Sequence, residues 1–111
     1  MDKLAKYSQF VQDILGEYGQ YKPASEGLEY QVIFDTERGH YQVVQFGWEG
    51  KRYVHYCLIH VDIKSDKIWI QWNMTEVEIA GELVEMGVPK HDIVVGFHHP
   101  FMRKFTDYAV G

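Results

Sequence analysis

The chain has 111 residues and a mass of 13.1 kDa, the size of one compact domain. Hydrophobic residues make up 46%, which excludes a disordered chain, and the formal net charge of −5 argues against gripping nucleic acid through counterion release. The single cysteine, Cys57, excludes an intrachain disulfide and a cysteine-rich zinc site.

In chain order, Leu4, Tyr7, Val11, Ile14, Leu15 and Tyr18 recur at three- and four-residue steps. That spacing predicts one amphipathic helix over 2–18, capped by Asp2 and ended by Gly19 and Pro23. "KPASEG" reads as a short loop. Four strand-like runs follow, over 28–34, 40–48, 51–63 and 67–73, joined by the turns "DTERG", "EG" and "KSDK". Such short connections make consecutive strands antiparallel neighbours.

Period-two alternation sorts two of these strands into faces. Cys57, Ile59, Val61 and Ile63 share one face of the third, and Ile68, Ile70 and Trp72 one face of the fourth. These aliphatic sets are expected to meet the helices. Tyr56, Leu58, Trp69 and Gln71 then fall on the opposite, helix-free face. After Asn73, Thr75 and Glu78 form the pattern of a capping box. The helix it opens is expected to bury Val77, Ala80, Leu83 and Val84 and to run to about Met86. Gly87 supplies its left-handed stop and Pro89 starts a further turn. "VVGF" reads as extended, and "FMRKFTDYAV" as a short helix or an extended tail.

The expected fold is therefore α+β: one domain over 1–111 in two layers, a four-stranded antiparallel meander with N-terminal and C-terminal helices on one face. Aromatic residues reach 15%, more than one small core hides, so an exposed aromatic surface for a partner is expected. The residues assigned to it are Tyr56, Leu58, Trp69 and Gln71, with a homo-oligomer, a dimer, as one consequence. No apolar run approaches the roughly 18 residues that span a membrane, and "MDKLAKYSQF" lacks a signal-peptide core. A cytoplasmic protein without membrane contact is the expectation.

The candidates for chemistry are sparse. His55 and Cys57 stand two apart on one strand, and no second pair completes a metal tetrahedron with them. His98 and His99 are neighbours and point apart on extended backbone, so one ring is expected to pack or cap a helix while the other is solvated. Asp62 and Lys64 in "VDIKS" match the acidic-x-Lys half of metal-dependent nucleases, a pattern any solvated strand end shows. Two basic pairs, Lys51 with Arg52 and Arg103 with Lys104, are candidate phosphate or partner contacts if the tail folds near the hairpin. No catalytic residue, metal ligand or cofactor is assigned.

"IFDTERGHYQVVQFGW", "HVDIKSDKIWIQWNMTEVEIAGELVEMGVPKHDIVVGFHHP" and the ending "FTDYAV" together resemble the XisI family, over nearly the whole chain. The family is named for a cyanobacterial factor that controls excision of the fdxN DNA element. The resemblance implies a non-catalytic accessory role in programmed DNA excision, together with an XisH-like partner and a separate recombinase that cuts and joins. DNA contact would then be indirect or weak. The alternatives carried beside it are a DNA-binding directionality factor and a divalent-metal nuclease built on Asp62 and Lys64.

Overall fold

A computed structural model describes residues 2–23 and 25–111. Helix α1 spans Lys3–Gly16 and tightens into a 3-10 turn over Glu17–Gln20. Asp2 caps it as expected, its carboxylate accepting from the Ala5 amide at 2.8 Å. Tyr7, Val11, Ile14 and Leu15 form its buried stripe. The four expected strands follow as β1 (Leu28–Asp35), β2 (His40–Glu49), β3 (Arg52–Lys64) and β4 (Lys67–Asn73), each antiparallel to the last.

The sheet does not stop at four strands. Helix α2 (Ile79–Glu85) returns the chain to β5 (Ile93–Val95), which pairs parallel to β4, so the sheet is five-stranded and mixed in the order β1-β2-β3-β4-β5. A parallel neighbour needs a crossover, and α2 provides it. Being only three residues long, β5 leaves little edge to protect, and the tail covers it where the Ala109 amide donates to the Ile93 carbonyl.

The capping box does not form. Thr75 Oγ1 accepts from the Val77 amide and donates to Asn73 Oδ1, which makes a turn, and α2 starts four residues later at Ile79. Gly87, at φ 108°, ends the helix as expected, and Pro89 precedes a 3-10 turn over Lys90–Asp92. The last helix, α3 (Pro100–Arg103), is a single turn capped by His99, whose Nδ1 accepts from the Phe101 amide. The neighbouring His98 ring packs edge-on against Phe97. One ring caps, and the other, exposed beside Phe97, is the solvated one.

The core lies between the sheet and two helices. Tyr7, Val11, Ile14 and Leu15 of α1 and Ile79 and Leu83 of α2 meet Tyr41, Val43, Ile59, Val61, Ile68 and Ile70 of the sheet. Helix α3 does not join that layer. It sits beyond β5, and its Arg103 reaches over Trp69 on the opposite side of the sheet. Coverage of one face by the first helix and the helix after β4 is thus as expected, and the short tail helix stands outside that layer.

Two bulges change which residues share a face. Val43 pairs with Ile59 and Val44 with Cys57, so Leu58 is the extra residue; His60 pairs with Trp72 and Val61 with Ile70, so Gln71 is the other. Each bulge reverses the alternation beyond it. Leu58 packs against the core, and Tyr56 shares a side with Gln45 and Val54 instead of the helix-free side. Trp72 moves the other way, to the helix-free side beside His60, while Asn73 turns toward α2 and donates to the Val77 carbonyl. Of the four residues expected on the helix-free face, only Trp69 and Gln71 lie there.

Candidate functional site

The helix-free face is built by alternate residues of β1 to β4. Four of its large apolar members are exposed, Trp48 at 57%, Tyr53 at 53%, Ile33 at 47% and Trp72 at 46%, while Phe46 and Trp69 are half-buried. Trp48 and Tyr53 stack edge-to-face at 5.2 Å across the β2–β3 hairpin, and Trp72 meets Phe97 at 6.3 Å. The rings are held in fixed positions by the strands and by one another. Exposed aromatic area on a rigid support suits docking, because little side-chain freedom is left to lose.

Toward the other end of β3 from the Trp48–Tyr53 pair, at and beyond the level of Trp72, the register brings polar groups together. His40 on β2 stands opposite Asp62 on β3, and His60 lies two residues before Asp62 on the same face. Asp62 Oδ1 is 2.8 Å from His40 Nδ1 and 2.9 Å from His60 Nε2. Gln71, pushed out by its bulge, donates from Nε2 to Asp62 Oδ2 at 3.1 Å. Burial works to raise the Asp62 carboxyl, and the hydrogen bonds from His40, His60 and Gln71 outweigh it, holding it below its ordinary value. A glycine supports this arrangement from behind: a Cβ on Gly96 would lie 2.5 Å from Gln71 Oε1.

Strict period-two alternation does not join these residues: it sets His60 apart from Cys57, and it does not place His40 across from Asp62. The H-x-D of "HVD" does place His60 and Asp62 on one face, but regular pairing counted back from Glu49–Arg52 sets His40 opposite Val61, and only the bulge at Leu58 shifts it to Asp62.

The nuclease half-motif comes apart. Asp62 is engaged by two imidazoles and an amide, and the Lys64 ammonium lies 4.2 Å from the Trp69 ring. Asp35 bonds Arg38 at its own turn. Among the described residues no second carboxylate joins the Asp62 cluster.

The basic pairs are not one patch. Lys51 and Arg52 sit at one end of β3, where Arg52 reaches the Tyr56 hydroxyl at 3.2 Å. Arg103 lies over Trp69, which pairs with Asp62, ten residues along the same strand. At roughly 3.3 Å per residue that separates the pairs by about 30 Å. The Arg103 guanidinium is also used internally, donating to the carbonyls of Gly96, His98 and Val110. Lys104 stands 4.2 Å from the exposed Phe101 ring.

A small mixed-sheet α+β domain, with helices on one face and an aromatic, histidine-bearing surface on the other, is the class these features define. The chain belongs to the XisI family: the family model described as "XisI protein" matches residues 1–110. A solved XisI-like protein from Anabaena variabilis is 45% identical and covers 97% of this chain and 99% of its own, with a TM-score of 0.90. The fdxN element excision controlling factor XisI from Anabaena variabilis is 32% identical, covers 99% and 100%, and has a TM-score of 0.88. No curated protein sequence matches the chain.

Proposed function

We propose that this protein is a non-catalytic controlling factor for programmed excision of a DNA element and acts by docking onto other proteins. One observation carries the reading: the rigid, exposed set of Trp48, Tyr53, Trp72 and Phe97 on and beside the helix-free face. The family relationship supports it, because a relative with full-length coverage carries the name of an excision controlling factor. The partner is an XisH-like protein, and the cutting and joining belong to a separate recombinase. Tyr56, Leu58, Trp69 and Gln71 contribute less than first expected, since two of the four face elsewhere and Trp69 lies against Lys64 and Arg103.

The same face serves self-association into a dimer, and the protein works in the cytoplasm; among the described residues no helix is long and apolar enough to cross a membrane. Direct reading of DNA is the weaker alternative, given a net charge of −5 and basic pairs at opposite ends of β3. The test is co-purification of the tagged chain with an XisH-like protein encoded in the same genome, beside a gel shift with the element ends. Co-elution without a shift supports docking. A salt-sensitive shift with no protein partner overturns it.

A further inference from the structure

The geometry points to a divalent transition-metal site of the zinc class on the helix-free face, ligated by His40 Nδ1, His60 Nε2 and Asp62 Oδ1. These three atoms lie within 4.8 Å of one another, and the two imidazole nitrogens stand 2.8 and 2.9 Å from the carboxylate oxygen. A tetrahedral zinc ion with bonds of about 2.0–2.1 Å separates its ligand atoms by about 3.3 Å, so the two nitrogen–oxygen separations need to open by only about 0.5 Å. Two imidazoles and one carboxylate form a donor set of borderline softness, which suits zinc better than magnesium or calcium.

The surroundings match what a metal site requires. All three ligands come from adjacent strands, which fix their spacing better than loops do. The spare oxygen of Asp62 is held by Gln71, so Oδ1 is the atom left facing the imidazoles. Gln71 is there because of a bulge, and Gly96 leaves room for its amide. The side chains grade from outside inward, with His40 54% exposed, His60 31% and Asp62 13%, which gives an ion a route in and leaves a coordination position open to solvent. Without metal, a proton on each coordinating nitrogen bonds to Asp62. On binding, a neutral imidazole moves that proton to its other nitrogen, Nε2 of His40 and Nδ1 of His60, and the freed lone pair takes the ion.

The site is independent of whether the protein docks onto an XisH-like partner. The test is calorimetric titration of the metal-stripped full chain with zinc chloride, alongside long-range ¹H–¹⁵N spectra of the histidine rings. The expected result is one zinc per chain, with His40 Nδ1 and His60 Nε2 shifting to the metal-bound range while the His55, His98 and His99 rings stay unchanged. His40→Ala and Asp62→Asn should each weaken binding by more than about tenfold, and Gln71→Ala by about tenfold through the lost support. Should a variant fail to fold, the ring spectra of the unaltered chain decide alone. Absence of saturable binding, or zinc signals on other histidines with His40 and His60 unmoved, overturns the site.

Discussion

Arg103 covers Trp69, its guanidinium carbon 5.5 Å from the ring centroid, while its nitrogens donate to the carbonyls of Gly96, His98 and Val110. A residue type that suggests phosphate contact here fastens the tail to the sheet. The three acceptors flank both sides of α3, so one side chain closes that segment around itself. Losing it should cost about 1–3 kcal/mol, the range for charged hydrogen bonds at a half-buried site. Arg103→Ala is therefore expected to lower the urea midpoint clearly. Lys104→Ala, one residue on and exposed, should stay within about 0.5 kcal/mol. Equal effects would remove the distinction.

A second long-range tie joins Tyr7 of α1 to Asp92, the buried acid just before β5. The Lys3 ammonium completes it at 2.9 Å. Burial, then the hydrogen bond from Tyr7 to Asp92, pushes the Tyr7 phenol from 10.0 up to about 12. A raised phenol stabilises the fold fully below its unfolded value and loses that contribution as pH rises from about 10 to about 12. For Asp92, burial raises the carboxyl and the bonds from Tyr7 and Lys3 outweigh it, so its value falls below 3.8. Its contribution is present above that pH and fades as pH drops further. Thermal melts should show both limbs. Tyr7→Phe should flatten the alkaline one and reduce stability near neutrality by about 1–3 kcal/mol, since Asp92 stays buried with one donor fewer.

Gly47 has no freedom to carry a side chain. Its φ is 130°, and an added Cβ would meet the Gly27 carbonyl oxygen at 2.1 Å. The chain entering β1 runs close alongside β2 there, and the Trp48 amide donates to that same carbonyl at 3.0 Å. Gly47→Ala combines backbone strain with a clash against main chain, so a loss above about 2 kcal/mol is expected. Gly50→Ala is the comparison: its φ is also positive, at 62°, yet open space surrounds it. It should cost only about 1 kcal/mol. Denaturant titration of the two variants checks the order.

Much of this fold was legible in the sequence. The Tyr7, Val11, Ile14 stripe set the first helix, Asp2 its start, and three short turns set four antiparallel strands. What escaped has physical causes. Ile93–Val95 is too short to show a period, and its parallel pairing depends on a crossover that no local pattern announces. Thr75 satisfied the pattern of a helix cap, yet Asn73 claimed its hydroxyl. Bulges at Leu58 and Gln71 reversed the alternation, which moved Tyr56 off the helix-free face and Trp72 onto it. The same bulge at Gln71 completed the His40, His60, Asp62 cluster, so the candidate site lay in the irregularity that strict alternation misses.

The central claim is that the helix-free face docks onto protein, and titration of an XisH-like protein from the same genome into this chain tests it most directly. The account predicts saturable binding that Trp72→Ser weakens at least about tenfold, as expected for an exposed aromatic anchor, while Tyr56→Ser on the other side leaves it unchanged. Absence of binding at high micromolar concentration, or equal binding by both variants, would contradict it.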